Sequence, residues 1–176
     1  DALVTAVTGT VAASGSLTLA GGILDAGSFV IQSSGHMSGF GTFTGAPAND
    51  GTVTATGGTL VLQGAVTGTG TLEIAPFAGL HLDAASSATQ TVSFAGGNLI
   101  LDSLGNTHAV MQGFAAGDTI TLPGVIADSA GFTGGQLSLL HAAANVGVID
   151  FLGTYTAANF LLTPGGGGTL VTYVTA

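Results

Sequence analysis

The chain has 176 residues, with nine Asp and Glu, four His and no Lys or Arg, for a formal net charge of −9. Without a fixed cation it cannot clamp phosphate or release counterions from a nucleic acid, which excludes nucleic-acid binding and removes attraction to an anionic membrane surface. No apolar run is long enough to span a bilayer, no cysteine offers a disulfide or thiolate site, and the 31 glycines follow no three-residue period, so collagen is excluded.

Short apolar bursts alternating with Ser and Thr predict half-buried strands. In chain order they run through Leu17 and Leu19, Phe29 and Ile31, Phe40 and Phe43, Val53, then Leu60 and Leu62. Leu72 and Ile74, Leu80 and Leu82, Val92 and Phe94, and Leu99 and Leu101 continue the series. Ile120 and Leu122, Leu137 and Leu139, Val148 and Phe151, and finally Leu170, Val171 and Val174 complete it. Single helical turns are expected at 140–145 and 156–160.

The bursts recur about every ten residues, separated by glycine pairs or Asn-Asp-Gly corners. A longer self-similarity lies over them. Gly39-x-Gly41-Thr42 returns as Gly68-x-Gly70-Thr71, 29 positions on, and Val53 maps onto Leu82 by the same shift. Leu60 and Leu62 map onto Val92 and Phe94 with a shift of 32. A repeat near 30 residues predicts a β-solenoid whose coils contribute two or three short strands, with glycine at the corners. Composition changes near Gly96. Residues 1–96 are expected to form the coils, and 97–176 a terminal β part that continues and closes the stack within one structural unit.

The blocks GTFTGAPANDGTVTATGGTLVLQGAVTGTGTLEIA and QGFAAGDTITLPG resemble the strand-repeat regions of large secreted bacterial surface proteins, the autotransporter passengers and haemagglutinin-like adhesins. The likeness runs from about Gly39 to the end. It implies a right-handed parallel β-helix, export to the cell surface, and a role as stalk, adhesin or matrix component.

Candidate chemistry is sparse. His81 and Asp83 are two apart on an expected strand and share a face. With Glu73 from the preceding strand they could hold a divalent cation; the plainer reading is three solvated polar residues on an outer face. Asp118 sits in Ala-Gly-Asp-Thr-Ile, a turn where carboxylates and carbonyls could ligate Ca2+. Its plainer reading is a corner Asp bonded to backbone amides. Thr-x-Thr pairs such as Thr52/Thr54 suit any exposed β surface and are unevenly spaced for ice binding. His36, His108 and His141 have no Ser and Asp escort, and no catalytic group is assigned.

Exposed strand edges are normally guarded by Lys, inward charge or Pro. This chain has no Lys and four Pro: Pro47, Pro76, Pro123 and Pro164. The ends of the stack are therefore expected to take another β layer, from a second copy or from neighbouring modules of a longer chain. The expected function is a non-catalytic extracellular structural or adhesive protein, building a fibre, layer or biofilm matrix. Surface glycans are candidate partners, and a carbohydrate-binding or carbohydrate-cleaving β-helix is the alternative.

Overall fold

The computed structural model describes residues 3–175. Its strands are β1 (Leu3–Val11), β2 (Ser16–Ile31), β3 (His36–Phe43), β4 (Ala46–Asn49), β5 (Thr52–Leu62), β6 (Thr71–Ile74), β7 (Gly79–Leu82) and β8 (Thr91–Phe94). They continue with β9 (Asn98–Leu101), β10 (Val110–Gln112), β11 (Thr119–Pro123), β12 (Ser129–Thr133), β13 (Gln136–His141), β14 (Ala144–Leu152), β15 (Phe160–Gly165) and β16 (Gly168–Tyr173). The protein is all-β, a stacked parallel solenoid of about six turns. Among the described residues no helix is long and apolar enough to cross a membrane.

Alternation builds the column. In β6, β8 and β9 the second and fourth residues are buried while the first and third stand outward. Successive strands pair in parallel, so like residues stack. Met37 lies beside Val53, Val53 beside Leu72, Leu72 beside Val92, and Val92 beside Met111. On the next face Phe43, Leu62, Leu82 and Leu101 form a second inward column. A third face is closed by β4 and by single bridges joining Val66 to Ser86 and Ser86 to Thr107. Leu60, Leu72, Leu80 and Leu99 are wholly buried, each contributing about 1.5–3 kcal/mol of apolar burial.

One corner of this core is polar. Gln90 Nε2 donates to the carbonyls of Asn49 (2.7 Å) and Thr67 (3.0 Å), and Asn49 Nδ2 donates to Gln90 Oε1 (3.0 Å) and Thr71 O (3.2 Å). Both side chains are fully buried. They belong to coils that are not neighbours, and they meet because the coil between them offers Gly70. A Cβ there would lie 2.7 Å from Asn49 Nδ2 and 2.4 Å from Gly51 O. Glycine is required at Gly39 for a different reason. Its φ of +124° and the 1.8 Å approach that a Cβ would make to Leu19 O mark a bulge where β3 shifts register against β5.

The two ends of the column differ. At the C-terminal end β14 continues one face beside β10, while β16 turns antiparallel on β11, with Ile120 opposite Val171. The β12–β13–β14 meander and the β15–β16 hairpin form this cap. Beneath it Phe94, Phe114, Phe132, Phe151, Tyr155 and Phe160 pack ring to ring, with Phe114 5.2 Å from Phe94 and Phe132 5.4 Å from Phe160. Burial pushes the Tyr155 phenol above its ordinary pKa of 10.0, and its hydroxyl donates to Phe114 O (3.1 Å). The outermost strand, β15, carries Pro164, a residue that blunts an edge. At the other end β1 pairs with β2 alone among the described residues, and no layer lies beneath Ser16–Ala20.

Two expectations are corrected. The coil is not near 30 residues: the register advances 19 or 20 residues per coil along β5 to β9. A 29-residue step covers about one and a half coils and carries Val53 on one face to Leu82 on another; both point inward, which made the match convincing. Past Gly96 the terminal part continues the stack, its parallel coils running through β9, β10 and β11 to Pro123. Finally, 140–145 is no helical turn. It is a tight hairpin between β13 and β14, with Ala142 (φ 48°) and Ala143 (φ 68°) both left-handed, the geometry that a two-residue turn demands. The turn expected at 156–160 is the 3₁₀ segment Ala157–Asn159, closed by a capping box between Thr156 and Asn159.

Candidate metal centre

His81 stands on the outer side of β7, between Val61 of the coil before and Ile100 of the coil after. Asp83 follows β7 directly, and its amide donates to Leu62 O (3.1 Å). Asp102 holds the same position one coil later, its amide donating to Leu82 O (3.2 Å). Parallel stacking thus places two carboxylates on neighbouring coils at the end of one face, with an imidazole beside them. His81 Nε2 lies 3.1 Å from Asp83 Oδ1 and 3.0 Å from Asp102 Oδ2. One ligand atom from each of the three residues falls within 4.8 Å of the others. The side chains are about three-quarters buried for His81 and Asp83, and more open for Asp102. His81 Nε2 and Asp83 Oδ1 are shielded from solvent, yet neither makes a hydrogen bond.

Of the residues singled out in the sequence, His81 and Asp83 come together and Glu73 does not join them. Glu73 projects from β6 on a different face and accepts a hydrogen bond from Thr54 Oγ1 (2.9 Å). Asp102 takes its place. A 19-residue coil read from the sequence would have found it, because Asp83 and Asp102 are one coil apart; the 29-residue repeat concealed it. Asp118 is buried and has another task. Its Oδ1 accepts from the amides of Gly96 (2.7 Å) and Gly97 (3.0 Å), and its Oδ2 from Ala115 N (2.8 Å). Donors surround it, which is the wrong company for Ca2+ and matches the plainer reading of a corner carboxylate.

The remaining histidines lie apart. His36 opens β3 in an outward column with Ser16 and Thr52. His108 lines a shallow cleft of about 300 Å³ with Thr107, Gln136 and Asp150. His141 Nδ1, at the end of β13, lies 3.0 Å from Oδ2 of Asp128, the residue before β12. Asp128 is held below its ordinary value of 3.8, chiefly by the Ala142 amide, then by Ser129 Oγ and by His141.

No known protein-family model matches the chain, and no curated protein is significantly similar to it.

Proposed function

We propose that this chain is a non-catalytic column of a bacterial extracellular surface, structural or adhesive, that gains one further β layer at its open end. The observation that carries the reading is the asymmetry of the ends. The C-terminal end is sealed by antiparallel hairpins with proline on the outer strand, whereas among the described residues nothing pairs with the outer edge of β1, nine residues reading Leu-Val-Thr-Ala-Val-Thr-Gly-Thr-Val. A groove of about 300 Å³ beside that edge is lined by Gly9, Val11, Leu17 and Phe29, so apolar surface accompanies the unpaired main chain. Such an edge is a template for pairing. The acids support a structural role too: Asp25, Asp50, Glu73 and Asp118 are each engaged by hydroxyl or amide donors rather than facing one another across a cleft.

In the isolated chain the occupant of the open edge is a second copy, edge to edge. A column open at one end closes as a symmetric pair; an endless fibre needs two open ends. Light scattering over a dilution series tests this. Monomer at high dilution should give way to dimer in the micromolar range, more readily as pH falls towards the pI of about 4.1 and the acids cease to repel. Thr10→Lys, which adds a charged guard to the edge, should keep the chain monomeric. A wild-type chain that stays monomeric at every concentration, or a Thr10→Lys chain that dimerises equally well, would overturn the reading.

A further inference from the structure

The geometry points to a divalent-cation site formed by His81, Asp83 and Asp102, with a preference for a small borderline metal such as Zn2+, Co2+ or Mn2+ over Ca2+. It is independent of the pairing proposed above.

The first support is the treatment of the other acids. Among the described residues, acids that stack on a neighbouring coil do so against a threonine. Thr44 Oγ1 donates to Asp25 (2.6 Å), Thr54 Oγ1 to Glu73 (2.9 Å) and Thr69 Oγ1 to Asp50 (3.1 Å), each pair 19 residues apart. Asp118 is held by amides, Asp128 by Ser129 and Ala142, and Asp150 by Gln136. At Asp83 and Asp102 alone among the described acids, carboxylate stacks on carboxylate with no donor from the chain. Like charges one coil apart repel, and a chain without Lys or Arg can relieve them only by a protonated imidazole or by a cation from outside.

The second support is the imidazole itself. Although Nε2 lies within 3.1 Å of both carboxylates, neither contact has hydrogen-bond geometry, and both Nε2 and Asp83 Oδ1 are buried and unpartnered. The carboxylates flank the nitrogen instead of receiving its proton.

The donor set selects the metal. Calcium takes oxygen donors in preference to nitrogen, whereas imidazole beside carboxylates is a nitrogen–oxygen set suited to borderline first-row ions. His81 Nε2 lies 3.1 and 3.0 Å from the two carboxylate oxygens, and the three ligand atoms fall within 4.8 Å of one another. Water fills the outward positions, since Asp102 faces solvent. The bound ion ties the coil of β7 to that of β9.

Isothermal titration of chelator-treated protein with Zn2+, Co2+, Mn2+, Mg2+ and Ca2+ tests the site. The expected result is one site per chain, with Zn2+ and Co2+ bound at least tenfold more tightly than Ca2+, and a melting temperature that rises with saturation. His81→Ala and Asp102→Asn should each weaken binding by about 100-fold, while Glu73→Gln and His141→Ala leave it unchanged. Should the Ala variant not fold, loss of binding in Asp83→Asn and a shift of the His81 ring resonances of the intact protein on zinc addition serve in its place. Absence of saturable binding, equal affinity in His81→Ala, or ring resonances that titrate with pH but ignore zinc would overturn the proposal.

Discussion

Replacing Gln90 by Leu keeps the side-chain volume while deleting the polar staple inside the column. Gln90 makes three hydrogen bonds there, to Asn49 O, Thr67 O and Asn49 Nδ2. Its two carbonyl acceptors keep other donors, Gly70 N on Asn49 O and Asn49 N on Thr67 O. They therefore lose a second bond, about 0.5–1 kcal/mol each. The Asn49 amide fares worse. One of its N–H groups retains Thr71 O, and the other is stranded in a dry interior at about 1–3 kcal/mol. The summed cost is about 2–5 kcal/mol, read as a shift in the urea midpoint at unchanged slope. The double variant Asn49→Ala/Gln90→Leu should be less destabilised than the two single changes added together, with a coupling of about 1–3 kcal/mol. A Gln90→Leu chain within about 0.5 kcal/mol of wild type, or strict additivity in the double variant, would refute the reasoning.

Phe77 offers a change in the opposite direction. It is 99% exposed and left-handed at φ 62°, at a corner where the coils on either side use Gly57 and Gly96. Nothing packs on the ring, so Phe77→Gly should unfold at no lower urea concentration than wild type. It should exceed Phe77→Ala by about 1 kcal/mol, the left-handed penalty that any Cβ incurs; a Gly variant weaker than the Ala variant would contradict this. The Asp128 contact has a sign fixed by its depressed pKa. Its contribution is present above the ordinary value of 3.8 and is lost as pH falls through the lower folded value. Hydrogen exchange at the Ala142 amide should accelerate, relative to its neighbours, between pH 4 and pH 2 in wild type, and Asp128→Asn should remove that pH dependence. Identical profiles in the two proteins would count against the contact.

Much of the column was legible because its faces largely obey one rule, polar outside and apolar inside, as in Thr-Leu-Glu-Ile and Thr-Val-Ser-Phe. That alternation marks strands whatever coil they belong to. Coil length was harder, because inward positions on different faces are chemically alike and a step of one and a half coils matches as well as a step of one. Glu73 is expected beside His81 because it stands outward on the preceding strand, whereas Asp102, one true coil beyond Asp83, is the residue brought to it. The cap was less legible still. The pairing of β14 with β10 joins Met111 to Phe151, 40 residues apart, and no local pattern reports a contact of that range. The hairpin at Ala142 and Ala143 looks helical in sequence because alanine favours helices, and only the strand pairing around it forces the left-handed turn.

A stack of coils that touched only adjacent coils would come apart like a zip, one coil at a time from the unsealed end. The Asn49–Gln90 bond leaps over the coil carrying Gly70, so three successive coils share one fate there. Pulled or heated from β1, the protein sheds its first layers singly and then meets a block that must yield all at once. Mechanical resistance is thereby concentrated in the middle of the column.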